Sequence, residues 1–391
     1  MEIRNLAGNW NYPTAIAAGD GAILQLPDCC KQLGMLRPLL VTDPGLAVLP
    51  MIKAALDACR DAGIEPGLFS NIKGNPTGRN VVDGVAAFAA GGHDGIIAFG
   101  GGSAIDAAKA IALMVGQQQP LWDFADLGDN WELADEAAIA TIIAVPTTAG
   151  TGSEVGRVAL ITDEECQVKR IIFHPKLLPA RVILDPQLTV GLPPAITAAT
   201  GMDALSHNLE ALCSPSYHPM AEGIAIEGIR LVSEYLPRAV ENGNDITARM
   251  QMITASSMGA TAFQKGLGAM HALAHPLGAL YDAHHGLLNA VLMPYVLLVN
   301  RSAVGEKLER SARHMNLPNP GFDSFLDWVL RLRKAIAIPH SLGDLGIDDF
   351  QRELVGQMAV ADPTAATNPV ALSAEQYSEL FSRAVKGELR P

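Results

Sequence analysis

Cysteine is scarce: five residues in 391, Cys29, Cys30, Cys59, Cys166 and Cys213, an odd set with no Cys-x-x-Cys spacing. That excludes a disulfide framework and a thiolate zinc site, and it predicts a reducing, cytoplasmic setting. Basic residues are also few, 28 Lys plus Arg against 41 Asp plus Glu, for a net charge of −13. Binding to a phosphate backbone rests on clustered basic contacts, so nucleic acid is not expected as a partner. No stretch reaches the roughly 18 uninterrupted apolar residues of a membrane span, and Met1-Glu2-Ile3-Arg4-Asn5 has no basic head leading into an apolar core. Neither membrane insertion nor secretion is expected. What the chain does have is 49% hydrophobic residues over a length too great for one comfortable core, which predicts an enzyme of about two domains. It also has ten histidines, unevenly spread, with His271, His275, His284 and His285 in one short stretch.

Through about residue 186, short apolar segments alternate with Ala-rich stretches of helical period, the texture of parallel βαβ units. Candidate strands are Pro38–Thr42, Gly95–Phe99, Thr141–Val145 and Arg181–Leu184, with crossover helices at 50–62, 79–91 and 103–115. Val158–Ile161 and Ile171-Ile172, separated by a polar Thr162–Glu165 turn, suit an antiparallel hairpin. Beyond Asp185-Pro186 strands stop and helical periodicity runs nearly to the C-terminus. The expected division is 1–188, an α/β domain with a Rossmann-like parallel sheet, and 189–391, an all-α domain.

Gly100-Gly101-Gly102-Ser103 follows a predicted strand and opens a predicted helix, where glycines let backbone amides approach phosphate oxygens. Ile105 stands where the G-x-G-x-x-G template needs its third glycine, so this is no ordinary Rossmann fingerprint. The alternative is a tight turn without ligand, with Ser103 and Asp106 as a capping box. A second loop, Val145 to Glu154, brings Thr147, Thr148, Thr151 and Ser153, whose hydroxyls and amides suit a ribose or pyrophosphate. Asp43, ending the first strand, is placed to accept hydrogen bonds from ribose hydroxyls and to repel a 2′-phosphate, which favours NAD over NADP.

Asp203 and His207 lie four residues apart, on one face if helical, and His271 and His275 repeat that spacing. Asp282-Ala283-His284-His285-Gly286 adds a third element. One Asp and three neutral imidazoles make a site for a divalent transition metal with a position left open for an exogenous oxygen. Singly, each histidine is better read as a satisfied core or surface residue. Together, among Ala, Leu, Met and Gly, uncompensated imidazoles would cost free energy unless a metal or hydrogen bonds satisfied them. His93, His174, His218, His314 and His340 lie apart and read as structural.

With these motifs, the chain resembles the iron-containing (group III) alcohol dehydrogenase family. The resemblance rests on Gly100–Asp106, Pro146–Glu154, Ala198–His207 and Gly268–Gly278 running on to His285-Gly286, in family order, with Pro13-Thr14 and Asn75-Pro76-Thr77 also fitting. It implies an N-terminal dinucleotide domain and a C-terminal helical metal domain. It implies Asp203, His207, His271 and His285 as ligands of Fe(II), and His275 as the non-ligand histidine near the nicotinamide; by general affinity order the same donors bind Zn(II) more tightly, so zinc is expected in the isolated protein. It also implies NAD contacts at Asp43, Asn75, Lys169, the glycine turn through Asp106 and the threonine loop. His284 has no family role. Two departures bear on the substrate: Gly156 stands where many members carry Thr, and Gln264-Lys265 stands where many carry Ser-Asn-Ala.

The activity so implied is interconversion of a primary alcohol, diol or hydroxy acid with its aldehyde by hydride transfer, in a homodimer or larger homo-oligomer. Lys265 and Arg157 raise an acidic aldehyde as substrate; the alternative, favoured because such side chains usually stay at the surface, is that both are exposed or paired with carboxylates. The rival activities are a sugar-phosphate cyclase of the dehydroquinate synthase type and a metal-dependent hydrolase. A silent metal or nucleotide sensor is the non-enzyme alternative.

Overall fold

The computed structural model describes residues 12, 14–166 and 168–389; the opening pentapeptide, Pro13 and Arg390-Pro391 lie outside them. Two compact units divide the chain: an N-terminal unit up to Gly191, and a helical unit from Leu192 that also takes in Ala149–Thr151.

The N-terminal unit is a six-stranded parallel sheet of order β1-β8-β5-β4-β2-β3. Its strands are β1 (Ala15–Ala18), β2 (Pro38–Val41), β3 (Gly67–Phe69), β4 (Gly95–Gly100), β5 (Ile142–Pro146) and β8 (Arg181–Leu184). Its helices are α1 (Leu26–Gln32), α2 (Pro44–Ala47), α3 (Pro50–Asp61), α4 (Gly78–Gly91) and α5 (Gly102–Met114). A parallel sheet covered on both faces needs apolar side chains at every strand position. In β4, Ile96 and Ala98 join Ile105, Ile111 and Val81 in one core, while Ile97 and Phe99 join Cys30, Ile52 and Cys59 in the other. The hairpin expected near 158–172 is present, longer than read, as β6 (Val158–Asp163) against β7 (Val168–Phe173), with Thr162 opposite Lys169. Two strands escaped the sequence reading. β1 is four residues with little burial, and β3 is three residues opening on glycine, so neither carries the apolar run by which buried strands are recognised.

The second unit contains α6 (Pro194–Cys213), α7 (Pro219–Glu241), α8 (Ile246–Ala262), α9 (Ala269–Tyr281), α10 (His285–His314), α11 (Phe322–Ala335), α12 (Arg352–Ala361) and α13 (Ala374–Lys386), with no strand among the described residues. Every residue of α6 from Thr197 to Cys213 is buried, with α7, α8 and α10 packed against it. α10 is long and apolar enough by length and mean hydropathy to cross a membrane, yet 67% of its apolar window is buried inside the structure, as in a core helix.

Candidate functional site

β4 ends on Gly100 and α5 starts on Gly102. Gly100 has φ +155°, and a Cβ there would lie 2.7 Å from Ala104 Cβ, so both backbone and space exclude a side chain. Its carbonyl accepts the Thr147 N–H at 3.0 Å, joining the glycine turn to the threonine loop. A Cβ on Gly101 would press on Thr148 at 3.3 Å. No side chain caps α5, so the amides of its first turn are available to an anion.

The expected Ser103/Asp106 capping box does not form. Gly101 is the N-cap, which puts Ser103 and Asp106 inside the helix. Ser103 Oγ donates to the Gly74 carbonyl instead. Asp106 accepts from Ser153 Oγ at 2.6 Å and from the Leu160 N–H at 3.1 Å. Burial raises the Asp106 carboxyl against the pull of Lys109 and Ser153. Lys109, fully buried, donates to Ser153 Oγ at 2.9 Å, the Gly156 carbonyl at 2.9 Å and the Val158 carbonyl at 3.0 Å. Burial pushes its ammonium down to about 8. Asp106 and Ser153 therefore hold the threonine loop to α5.

The other residues expected to contact the dinucleotide gather beside this turn. Lys169 Nζ donates to Asn75 Oδ1 at 2.8 Å. Asp43 follows β2 and caps α2, with Oδ1 accepting from Gly45 at 2.9 Å and Leu46 at 3.0 Å. β2, β4 and β5 are adjacent strands, and the loops at their carboxyl ends carry Asp43, Gly100–Ser103, Thr147 and Thr148, the place where open α/β sheets bind ligands. Thr151 belongs with the helical unit. A glycine cradle beside an uncapped helix start fits a pyrophosphate.

In the helical unit α6 supplies Asp203 and His207, α9 supplies His271, and α10 begins on His285. One carboxylate oxygen and three imidazole nitrogens from these residues lie within 4.8 Å of one another, with Asp203, His207 and His271 buried. Gly286 permits the approach: a Cβ there would lie 2.5 Å from the Ala199 carbonyl and 2.9 Å from Asp203 Cβ. The rings of His207 and His271 stack at 4.8 Å. His207 Nδ1 faces the Gly150 carbonyl at 3.2 Å and His271 Nδ1 faces Glu210 at 2.7 Å, which leaves both Nε2 atoms for the centre. Asn289 donates to Asp203 Oδ1 at 2.9 Å. Burial holds His271 well below the ordinary imidazole range, in its neutral, ligating form. Three nitrogens and one oxygen in an apolar setting fit a divalent transition metal.

His275 lies outside this set. Its ring stacks on His285 at 5.4 Å, and its Nδ1 pairs with Asp362 at 2.8 Å. Burial works against the charge of Asp362, but hydrogen bonds from His275 and Thr364 hold its carboxyl below the usual range. Sequence reasoning missed Asp362, Glu210 and Asn289. Glu210 and Asn289 each left a signal, a polar side chain one turn beyond a candidate ligand, His207 and His285, in an apolar helix. His284, exposed, caps α10 by accepting from the Leu287 N–H.

Lys265 bears on the substrate expectation: it has a carboxylate beside it, as the favoured alternative has it, but inside the protein and not at its surface. It is buried, and its Nζ donates to the carbonyls of Ala211 at 3.0 Å, Leu212 at 3.2 Å and Ser214, with Glu222 at 3.3 Å. The carbonyls that end a helix attract a cation, and here they take this one. Burial lowers its ammonium to about 8. Arg157 lies over the Phe173 ring at 5.4 Å. Both side chains have their own partners, so neither argues for an acidic substrate.

Comparison with known proteins covers both units. Residues 13–186 match the family described as iron-containing alcohol dehydrogenase, and residues 197–385 match its C-terminal domain. The chain is 39% identical over 390 residues to 4-hydroxybutyrate dehydrogenase of Cupriavidus necator, covering 96% of this chain and 99% of that one. It is 36% identical over 375 residues to 1,3-propanediol dehydrogenase of Klebsiella pneumoniae, covering 94% and 96%. The crystal structure of a 1,3-propanediol oxidoreductase superposes with a TM-score of 0.92 at 36% identity, over 96% of this chain and 99% of that one. Sequence and fold agree over almost the whole length, and the chain belongs to the iron-containing alcohol dehydrogenase family.

Proposed function

We propose that this iron-type alcohol dehydrogenase transfers hydride between NAD(H) and a small primary alcohol, diol or hydroxy acid and its aldehyde, with residues 1–188 holding the dinucleotide and 189–391 the metal. The observation that carries this is the convergence of Asp203, His207, His271 and His285 within 4.8 Å. Those four would hold a divalent ion, Fe(II) in the active enzyme, which supplies Lewis acidity to the alcohol oxygen. Gly100–Ser103 amides and the hydroxyls of Thr147, Thr148 and Thr151 bind the dinucleotide, Asn75 and Lys169 close the same loops, and Asp106 with Ser153 keeps them in place. His275 has Nδ1 committed to Asp362 and offers Nε2 for the hydroxyl proton. The relatives' names favour this reading over the cyclase and the hydrolase. All five cysteines are free, four of them buried, which supports a reducing cytoplasm. By family analogy the enzyme is a homodimer or larger, to be measured by light scattering.

The test is anaerobic reconstitution of metal-stripped protein, followed by NADH oxidation with aldehydes of a panel that spans linear primary alcohols, 1,2- and 1,3-diols and ω-hydroxy acids. Fe(II) restores turnover and Zn(II) restores less; the reverse order overturns iron, and no turnover with any metal or aldehyde overturns the activity. His275→Ala is expected to slow turnover and change its pH profile, and an unchanged profile at full turnover removes the proton role.

A further inference from the structure

Inside the helical unit Glu210 accepts from two backbone amides, Oε2 from the Gly268 N–H at 2.8 Å and Oε1 from the Met270 N–H at 2.7 Å, and its Oε2 faces His271 Nδ1 at 2.7 Å. It is 4% exposed. We propose that Glu210 is the positioning residue of His271, fixing the tautomer that presents Nε2 to Asp203, His207 and His285; this rests on the metal reading above. A histidine that binds a metal through one nitrogen donates the other N–H to an acceptor, which sets both ring angle and tautomer. A carboxylate is acceptor-only, so it meets three donors without competing for any proton. A carboxamide could not do the same. With its oxygen on the Oε2 side, its NH2 would oppose the Met270 N–H. Turned over, its NH2 would face His271 Nδ1 and drive the proton to Nε2, where it blocks the metal.

The competing role is helix capping alone, since Gly268 and Met270 lie at the start of α9. Asn368 separates the two: its Oδ1 accepts from the Ala269 N–H at 3.0 Å at the same helix end, and none of its hydrogen bonds involves His271. Metal-stripped wild type, Glu210→Gln and Asn368→Ala are titrated with Co(II) against a competing chelator, following the visible Co(II) bands and the thermal midpoint of the stripped proteins. Glu210→Gln is expected to bind Co(II) about 10- to 100-fold more weakly, with a changed spectrum. Asn368→Ala is expected to lower the midpoint while keeping the affinity within about twofold and the spectrum unchanged. Wild-type affinity and spectrum in Glu210→Gln overturn the proposal; a wild type that takes up no Co(II) overturns the metal reading instead. Should Glu210→Gln not fold, Zn(II)-loaded wild type labelled with 15N-histidine decides: an exchange-protected Nδ1–H resonance lost in His271→Gln supports the assignment, and its absence overturns it.

Discussion

The glycine turn of the N-terminal unit and the histidine cluster of the helical unit are built from opposite materials. At the turn, the groups aimed at a ligand are backbone amides, exposed by an absence of side chains at Gly100 and Gly101, and the nearby side chains mostly bond to one another. In the cluster the ligand-facing groups are side chains from three helices, and two of the imidazoles have their far nitrogens held by Glu210 and the Gly150 carbonyl. The first needs only a local run of small residues after a strand. The second exists only once α6, α9 and α10 have packed, so its geometry depends on the whole helical core. Damage at either place should therefore be separable by what is lost.

The largest effect is expected from Asp203→Ala. Metal content should fall from about one ion per chain to a small fraction of that, and kcat/KM by about a thousandfold or more. NADH binding, followed by its fluorescence, should stay within about threefold of wild type, because a dinucleotide site made of backbone amides and threonine hydroxyls needs no ligand from α6. Retained metal in this variant breaks the comparison at its root. Gly100→Val is the converse. At φ +155°, with Ala104 Cβ 2.7 Å from the new Cβ, the turn must shift, and the amides move with it. NADH affinity should drop by about tenfold to a hundredfold, as strain of about 1–3 kcal/mol falls on the bound geometry. Metal content, measured by elemental analysis, should not change; a parallel loss of metal shows that the two regions are not independent.

How much of each region could be read from the sequence follows from the same contrast. Strands β4, β5 and β8 and helices α3 to α5 lie within a residue of their expected ends, because a strand buried on both faces writes a continuous apolar run. β1 and β3 leave no such trace. Helical spacing brought Asp203, His207, His271 and His275 to attention and clustering added His284 and His285; the family resemblance picked the four ligands from among them. Their supports stayed hidden for a physical reason. Glu210 and Asp362 are 61 and 87 residues from the imidazoles they hold, and the partner of His207 is a backbone carbonyl, which has no residue type to recognise. Lys265 was legible in part: it has the carboxylate neighbour that the favoured alternative allows, Glu222, but the free carbonyls ending α6 hold it in the interior and not at the surface. Ser103 and Asp106 match the spacing of a capping box, yet α5 begins early enough to put both inside it.

The smallest effect concerns Asp43, where the backbone site borrows a side chain. Its Oδ1 already caps α2 through Gly45 and Leu46, so Asp43→Ala would confuse two losses, a cap of about 1 kcal/mol and the charge itself. Asp43→Asn separates them, since asparagine caps as well as aspartate and carries no charge. If the carboxylate disfavours NADPH by repelling its 2′-phosphate, removing that charge at a half-buried site should be worth about 1 kcal/mol. That corresponds to a fivefold or so rise in kcat/KM for NADPH relative to NADH, with the thermal midpoint unchanged. The gain should shrink as salt is raised, because screening weakens a charge repulsion but not a lost hydrogen bond. A gain indifferent to salt would assign the preference to ribose hydrogen bonding, and no gain at all would place cofactor choice elsewhere in the loops after β2 and β4.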